Sequence, residues 1–169
     1  METVKLTFKY LQDEYVKAER QYLFASKTIP KTSVVILGIY LLFSLMYFFF
    51  SSFSMLSMIA LGIAALALLT GCALYFYVPA YKFAHTAKYH EEYTLMFSKD
   101  GIKFKTTTIN SELQWSIYSE IWESDAFYFL IQAPRIYTLL PKRAFPNPTT
   151  KQIFEEMALS ELKCTKRTI

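Results

Sequence analysis

The chain has 169 residues, 53% of them hydrophobic, and 18 Lys and Arg against 14 Asp and Glu give a net charge of +4. Outside its long apolar run this length holds one small domain rather than two, and the thin basic excess lacks the dense stripe of a nucleic-acid binder. Cys72 and Cys164 make no metal spacing and no plausible disulfide, and Gly38, Gly62 and Gly71 lie inside the apolar run, which leaves no Gly-rich phosphate loop.

Val4 to Lys9 alternates apolar with polar residues and predicts a half-buried strand. Leu11, Tyr15, Ala18 and Tyr22 then fall on one helical face, with Asp13 and Glu14 early and Lys17, Arg20 and Lys27 late, as the helix dipole prefers. Pro30 separates this helix from the apolar run. Residues 1–30 are expected to pack on the C-terminal part of the chain, with a helix lying on the lipid interface as the alternative.

From Thr32 to Tyr81 there is no Asp, Glu, Lys, Arg or His. As one helix at ~1.5 Å per residue, Ser33–Val78 would be roughly twice as long as a hydrocarbon core of ~30 Å. It is therefore expected to fold back at Ser51-Ser52-Phe53-Ser54, giving spans Ser33–Phe50 and Met55–Val78 within a hairpin over residues 31–80. Lys17, Arg20, Lys27 and Lys31 precede the run and Lys82 and Lys88 come after it, so the positive-inside rule predicts both termini in the cytoplasm. Ala60, Ala64, Ala67 and Gly71 share one face of the second span, a pattern that suits close packing on the first span or a homo-oligomer. No ionisable residue lies inside the spans to serve a proton or ion path.

Residues 81–169 read as short strands and a closing helix. Tyr93, Leu95 and Phe97 alternate, Lys99-Asp100-Gly101 is a hairpin turn, and Ile102, Phe104, Thr106 and Thr108 continue on one face. Leu113, Trp115 and Ile117 predict a third strand; Ile121–Glu123, Ala126–Gln132 and Ile136–Leu140 come next. Asn147-Pro148 predicts a helix start, with Ile153, Phe154, Met157, Ala158 and Leu162 as its apolar stripe. The expected fold class is membrane α+β: a transmembrane α-hairpin plus a small antiparallel sheet or open barrel closed by a C-terminal helix.

The spacing Phe97-x-x-Asp100-Gly101-Ile102, Trp115-x-x-Tyr118-x-x-Ile121-x-Glu123, Phe127-Tyr128-Phe129-Leu130 and Leu140-Pro141-Lys142-Arg143-Ala144-Phe145 before a final helix resembles the YcxB-like family of bacterial membrane proteins. The resemblance implies a pleckstrin-homology-like (PH-like) C-terminal domain and a place in the bacterial cell membrane. It carries over no catalytic residue.

The residues themselves offer little chemistry. His85 and His90 are five apart, which takes them off a common helix face, and Glu91 and Glu92 beside them read as a solvated juxtamembrane stretch. Ser119-Glu120 and Ser124-Asp125 have no nearby His base, and Trp115, Tyr118 and Trp122 read as packing. Lys142 and Arg143, expected to project from a loop, and Lys103 and Lys105 beside Lys99 are the candidate binding residues, suited to anionic headgroups or a protein partner. Lys163, Lys166 and Arg167 read as a solvated tail. The expected function is a membrane-anchored, non-catalytic interaction module with no metal or cofactor. A span-mediated oligomeric scaffold or small conducting assembly is the alternative, and a membrane enzyme has the least support.

Overall fold

A computed structural model describes residues 3–26, 30–51, 54–162 and 166–169. The sequence expectations that fall on Lys27, Ser52, Phe53, Lys163 and Cys164, and on the side chain of Lys31, lie outside the described residues. The chain divides into two compact units, Met1–Ala18 with Thr86–Ile169, and Glu19–His85. The division falls within helix α1 (Gln12–Ala25).

Among the described residues the first unit holds two four-stranded sheets. Strands β1 (Val4–Lys9), β2 (Glu92–Ser98), β3 (Gly101–Lys105) and β4 (Asn110–Leu113) pair antiparallel in that order. β1 is thus separated in sequence from its partner β2 by the whole of the second unit, and still takes the edge of the sheet. Its period-two pattern explains why it fits: Val4, Leu6 and Phe8 are buried while Lys5, Thr7 and Lys9 are exposed. Strands β5 (Glu120–Glu123), β6 (Phe127–Ala133), β7 (Ile136–Pro141) and β8 (Arg167–Thr168) form the second sheet in the order β7-β6-β5-β8. Residues Phe127 to Ile131 are buried without alternation, the mark of a central strand covered on both faces.

Helix α5 (Pro148–Leu162) joins the two sheets through one ring. Phe154, fully buried, lies 4.8 Å from Phe97 of β2 and 5.6 Å from Tyr128 of β6, centroid to centroid. Asn147 caps the helix, its Oδ1 accepting from the Thr150 amide at 2.7 Å.

Two strand expectations are corrected. The strand predicted over Leu113, Trp115 and Ile117 ends at Leu113, and Trp115–Ile117 is a single 3₁₀ turn. Trp115 is buried there and donates Nε1–H to the Ser98 carbonyl at 2.7 Å, so its ring serves the turn between the sheets rather than a strand face. β3 likewise stops at Lys105 and does not run on to Thr108. Thr106 explains the stop, because its Oγ1 accepts from the amides of Thr108 and Ile109 at 3.3 and 3.1 Å and closes a local turn.

The second unit contains α2 (Lys31–Phe50), α3 (Met55–Cys72), a π-turn (Ala73–Tyr77) and α4 (Val78–His85). Helical geometry therefore continues past Val78 to His85. α2 and α3 pair through small side chains: Ser44, Ser57 and Ala64 are buried. Ser54 caps α3, accepting from the Ser57 amide at 3.3 Å, as the serine break suggests. Thr32–Phe50 and Met55–His85 are each long and apolar enough to cross a membrane, and only 6% of their most apolar windows is buried.

The π-turn has a local cause. Pro79 has no N–H to return to the Tyr75 carbonyl four residues earlier, and a wider turn accommodates its ring. Arg20 of α1 supplies the missing donor: Nε–H reaches the Tyr75 carbonyl at 3.1 Å, and the guanidinium lies 4.7 Å over the Tyr75 ring.

Candidate functional site

The exposed face of the first sheet gathers basic side chains by register. Lys5, Met96, Lys103 and Glu112 stand in one cross-strand row, and Thr7, Thr94, Lys105 and Asn110 in the next. Alternation along β1, β2 and β3 turns these residues outward, because Val4, Leu6, Leu95, Phe97 and Ile102 occupy the buried side. Lys103 pairs with Glu112 at 2.9 Å, an exposed pair of small energetic weight. At the hairpin end a cavity of about 690 Å³ is lined by Thr3, Met96, Ser98, Lys99, Asp100 and Lys103, among others. Two ammonium groups, the Asp100 carboxylate and the exposed Met96 thioether thus stand together at this end of the sheet. Lys103 and Lys105, selected from the sequence, therefore share a face with Lys5 and Lys9, which sequence reasoning treated only as strand residues.

Lys142 and Arg143, the other candidate pair, sit in the short turn after β7 and are engaged inside the unit. Lys142 Nζ lies 2.6 Å from Glu123 Oε1 and 5.0 Å over the Tyr128 ring, and its side chain is 19% exposed. Arg143 donates to Glu14 at 2.5 and 2.8 Å and to the Lys9 carbonyl at 2.8 Å. Glu14 in turn raises the pKa of Arg143. The two cations that the loop was expected to project thus tie β7 to the chain's N-terminal elements and to β5.

Around Glu123 the fold assembles an ionic cluster. Glu123 Oε2 is 2.7 Å from Lys166 Nζ, which also lies 3.0 Å from Glu155 Oε2. Tyr128 donates its hydroxyl to Glu155 Oε1, and Lys151 stands 3.7 Å from that same oxygen. Burial opposes the charge on Glu123, but the Lys142 and Lys166 ammoniums outweigh it and hold the carboxyl down at about 2. Burial likewise opposes the charge on Glu155, whose pKa is nevertheless lowered by Tyr128 and Lys166. Burial, reinforced by Glu155, pushes the Tyr128 hydroxyl up.

The tail expectation is corrected by this cluster. Lys166 bridges two carboxylates, Arg167 lies 4.7 Å over the Trp122 ring, and β8 pairs parallel with β5. Glu155 and Lys166 carry no local pattern that sets them apart from solvated helix and tail residues.

The other sequence candidates lie in the hairpin and beside it. Along the small-residue face Ala64 is fully buried, Ala60 and Gly71 are half-buried, and Ala67 is exposed. Tyr40 donates its hydroxyl to the Ala60 carbonyl at 3.2 Å, so part of this face is used within the hairpin. His85 Nδ1 lies 3.0 Å from the Tyr81 carbonyl, its ring stacked on Tyr81. Glu91 accepts from the Thr108 amide and hydroxyl, and hydrogen bonds from Thr106 and Thr108 lower its pKa. Among the described residues no group of three or more His, Cys, Asp or Glu side chains is placed to hold a metal ion.

No curated protein and no solved structure matches the chain. Residues 97–158, from the end of β2 to the buried Ala158 of α5, match the family model described as YcxB-like protein, the family to which the Trp115, Tyr118 and Leu140–Phe145 pattern also points.

Proposed function

We propose that the chain is a non-catalytic interaction module anchored in a bacterial cell membrane. α2 and α3 cross the bilayer with both termini on the cytoplasmic side, and the two-sheet unit meets anionic lipid headgroups through Lys5, Lys103 and Lys105. The observation that carries the reading is the exposure of the apolar helices. Val35 (61%), Phe43 (65%), Met55 (78%) and Leu66 (67%) face outward on helices that a soluble protein would bury. A four-stranded antiparallel sheet, a second sheet in which β5, β6 and β7 pair antiparallel while β8 joins β5 in parallel, and the closing helix α5 support the PH-like description of the first unit.

Alkaline washing of membranes from cells that make the full chain tests the anchor. The chain is expected to stay in the pellet, and its release into the supernatant would overturn the membrane reading. Lipid contact is tested in nanodiscs with and without phosphatidylglycerol. Amides of residues 94–105 are expected to exchange more slowly over the anionic lipid, with the protection lost in Lys103→Glu/Lys105→Glu. Equal exchange in both lipids would remove headgroups as the partner.

A further inference from the structure

We propose that the open edge of β5 is a docking site for an extended peptide segment bearing a Lys-Arg pair, and that residues 166–169 of this chain occupy it as an internal ligand. β5 has β6 on one side, and among the described residues its other edge is covered by β8. Its backbone pairing is short. It pairs Trp122 with Arg167 and Glu123 with Thr168, in the parallel arrangement that is weaker per residue, and adds one bond from the Ile169 amide to the Glu123 carbonyl at 2.8 Å. Arg167 and Thr168 remain exposed. An edge strand with so short a cover is a template for strand addition.

Two side-chain sites lie along this edge and read consecutive basic residues. The Glu123 and Glu155 carboxylates converge on one ammonium, that of Lys166, at 2.7 and 3.0 Å. The Trp122 indole takes the next residue, with the Arg167 guanidinium 4.7 Å above the ring. Both carboxylates have anchors that do not belong to the tail. Lys142 holds Glu123 from the other oxygen at 2.6 Å, and the Tyr128 hydroxyl holds Glu155. The receiving groups therefore stay aimed when the tail leaves, and an incoming segment meets a preorganised site. The partner implied is an extended stretch running parallel to β5, with Lys facing the carboxylates and Arg facing the indole. This inference stands independently of whether α2 and α3 cross a bilayer.

The test uses the full chain in detergent micelles and a fluorescent peptide of sequence Thr-Lys-Arg-Thr-Ile. The Lys166→Glu/Arg167→Glu chain, with its own tail repelled, is expected to bind the peptide at least ten-fold more tightly than the unaltered chain. Adding Glu123→Gln is expected to abolish that gain. Equal binding to both chains, or none to the folded double variant, would overturn the proposal. Concentration-dependent dimerisation of the unaltered chain through its tail would also overturn it, because the occupant would then be a second copy. If the double variant does not fold, hydrogen exchange on the unaltered chain decides. Amides of 167–169 exchanging at least a hundred-fold faster than those of β6 support a displaceable tail, and equal protection refutes it.

Discussion

Tyr10 donates its buried hydroxyl to the carbonyl oxygen of Leu139, 129 residues further along the chain, at 2.7 Å. The bond fixes the end of the N-terminal strand segment to β7. Around it the ring meets Tyr93 at 4.9 Å and Phe8 at 5.2 Å, so a polar tip is satisfied within an aromatic cluster. Burial, with Tyr93 and Tyr89 nearby, pushes the hydroxyl pKa well up and keeps it a donor. Tyr10→Phe leaves the Leu139 carbonyl without this donor and should cost about 1–2 kcal/mol. A denaturant titration of the first unit's near-ultraviolet signal checks this, and an unchanged midpoint would contradict it.

Arg143 and Glu14 should be energetically coupled. The pair is close but partly exposed, 45% and 23% by side chain, so a coupling of about 0.5–1 kcal/mol is expected from a double-mutant cycle with Arg143→Ala and Glu14→Ala. Arg143→Lys should keep only part of it, since an ammonium cannot reproduce the fork that reaches both the Glu14 carboxylate and the Lys9 carbonyl. Additive single-variant effects would show that the pair contributes nothing.

The Glu123 cluster sets an acid limit on stability. Its folded pKa of about 2 lies below the ordinary Glu value near ~4.3, so its contribution is complete above about pH 5 and fades as pH falls towards 2. Denaturation midpoints measured between pH 6 and 2 should fall more steeply for the unaltered chain than for Glu123→Gln. Parallel curves would place the acid sensitivity elsewhere.

Gly101 should resist substitution. It adopts φ +151°, and a Cβ there would lie 2.8 Å from the Leu113 carbonyl oxygen on the neighbouring strand. Gly101→Ala is expected to destabilise the β2–β3–β4 sheet by about 1–3 kcal/mol. Thermal melting would show a lower transition, and a wild-type melt would mean the strand shifts freely.

Arg20 should matter more while Pro79 is present. Pro79→Ala restores an N–H opposite the Tyr75 carbonyl, after which Arg20→Ala should cost less than in the unaltered chain. Thermal melts of the four chains give the difference, and an equal cost in both backgrounds would show that the Arg20 bond does not compensate for the proline.

Local pattern by itself determined a good deal of this protein. The charge-free run from Thr32 to Tyr81 marked two long apolar helices, Lys99-Asp100-Gly101 marked a hairpin, and Asn147 marked the cap of α5. Each of these signals lies within a few residues and comes from hydropathy, turn chemistry or capping. Period two also identified β1, but nothing in Val4–Lys9 says that its partner is β2, beyond both apolar helices. Trp115 shows the limit of alternation, since its spacing suited a strand while its indole N–H was needed at the Ser98 carbonyl. Only tertiary structure decided that Lys142 turns to Glu123 and that Lys166 closes a bridge to Glu155. A lysine in a loop and a lysine in a tail look alike in sequence. What separates them from solvated residues is the position of a carboxylate far away in the chain, and that position exists only once sheets and helix have packed.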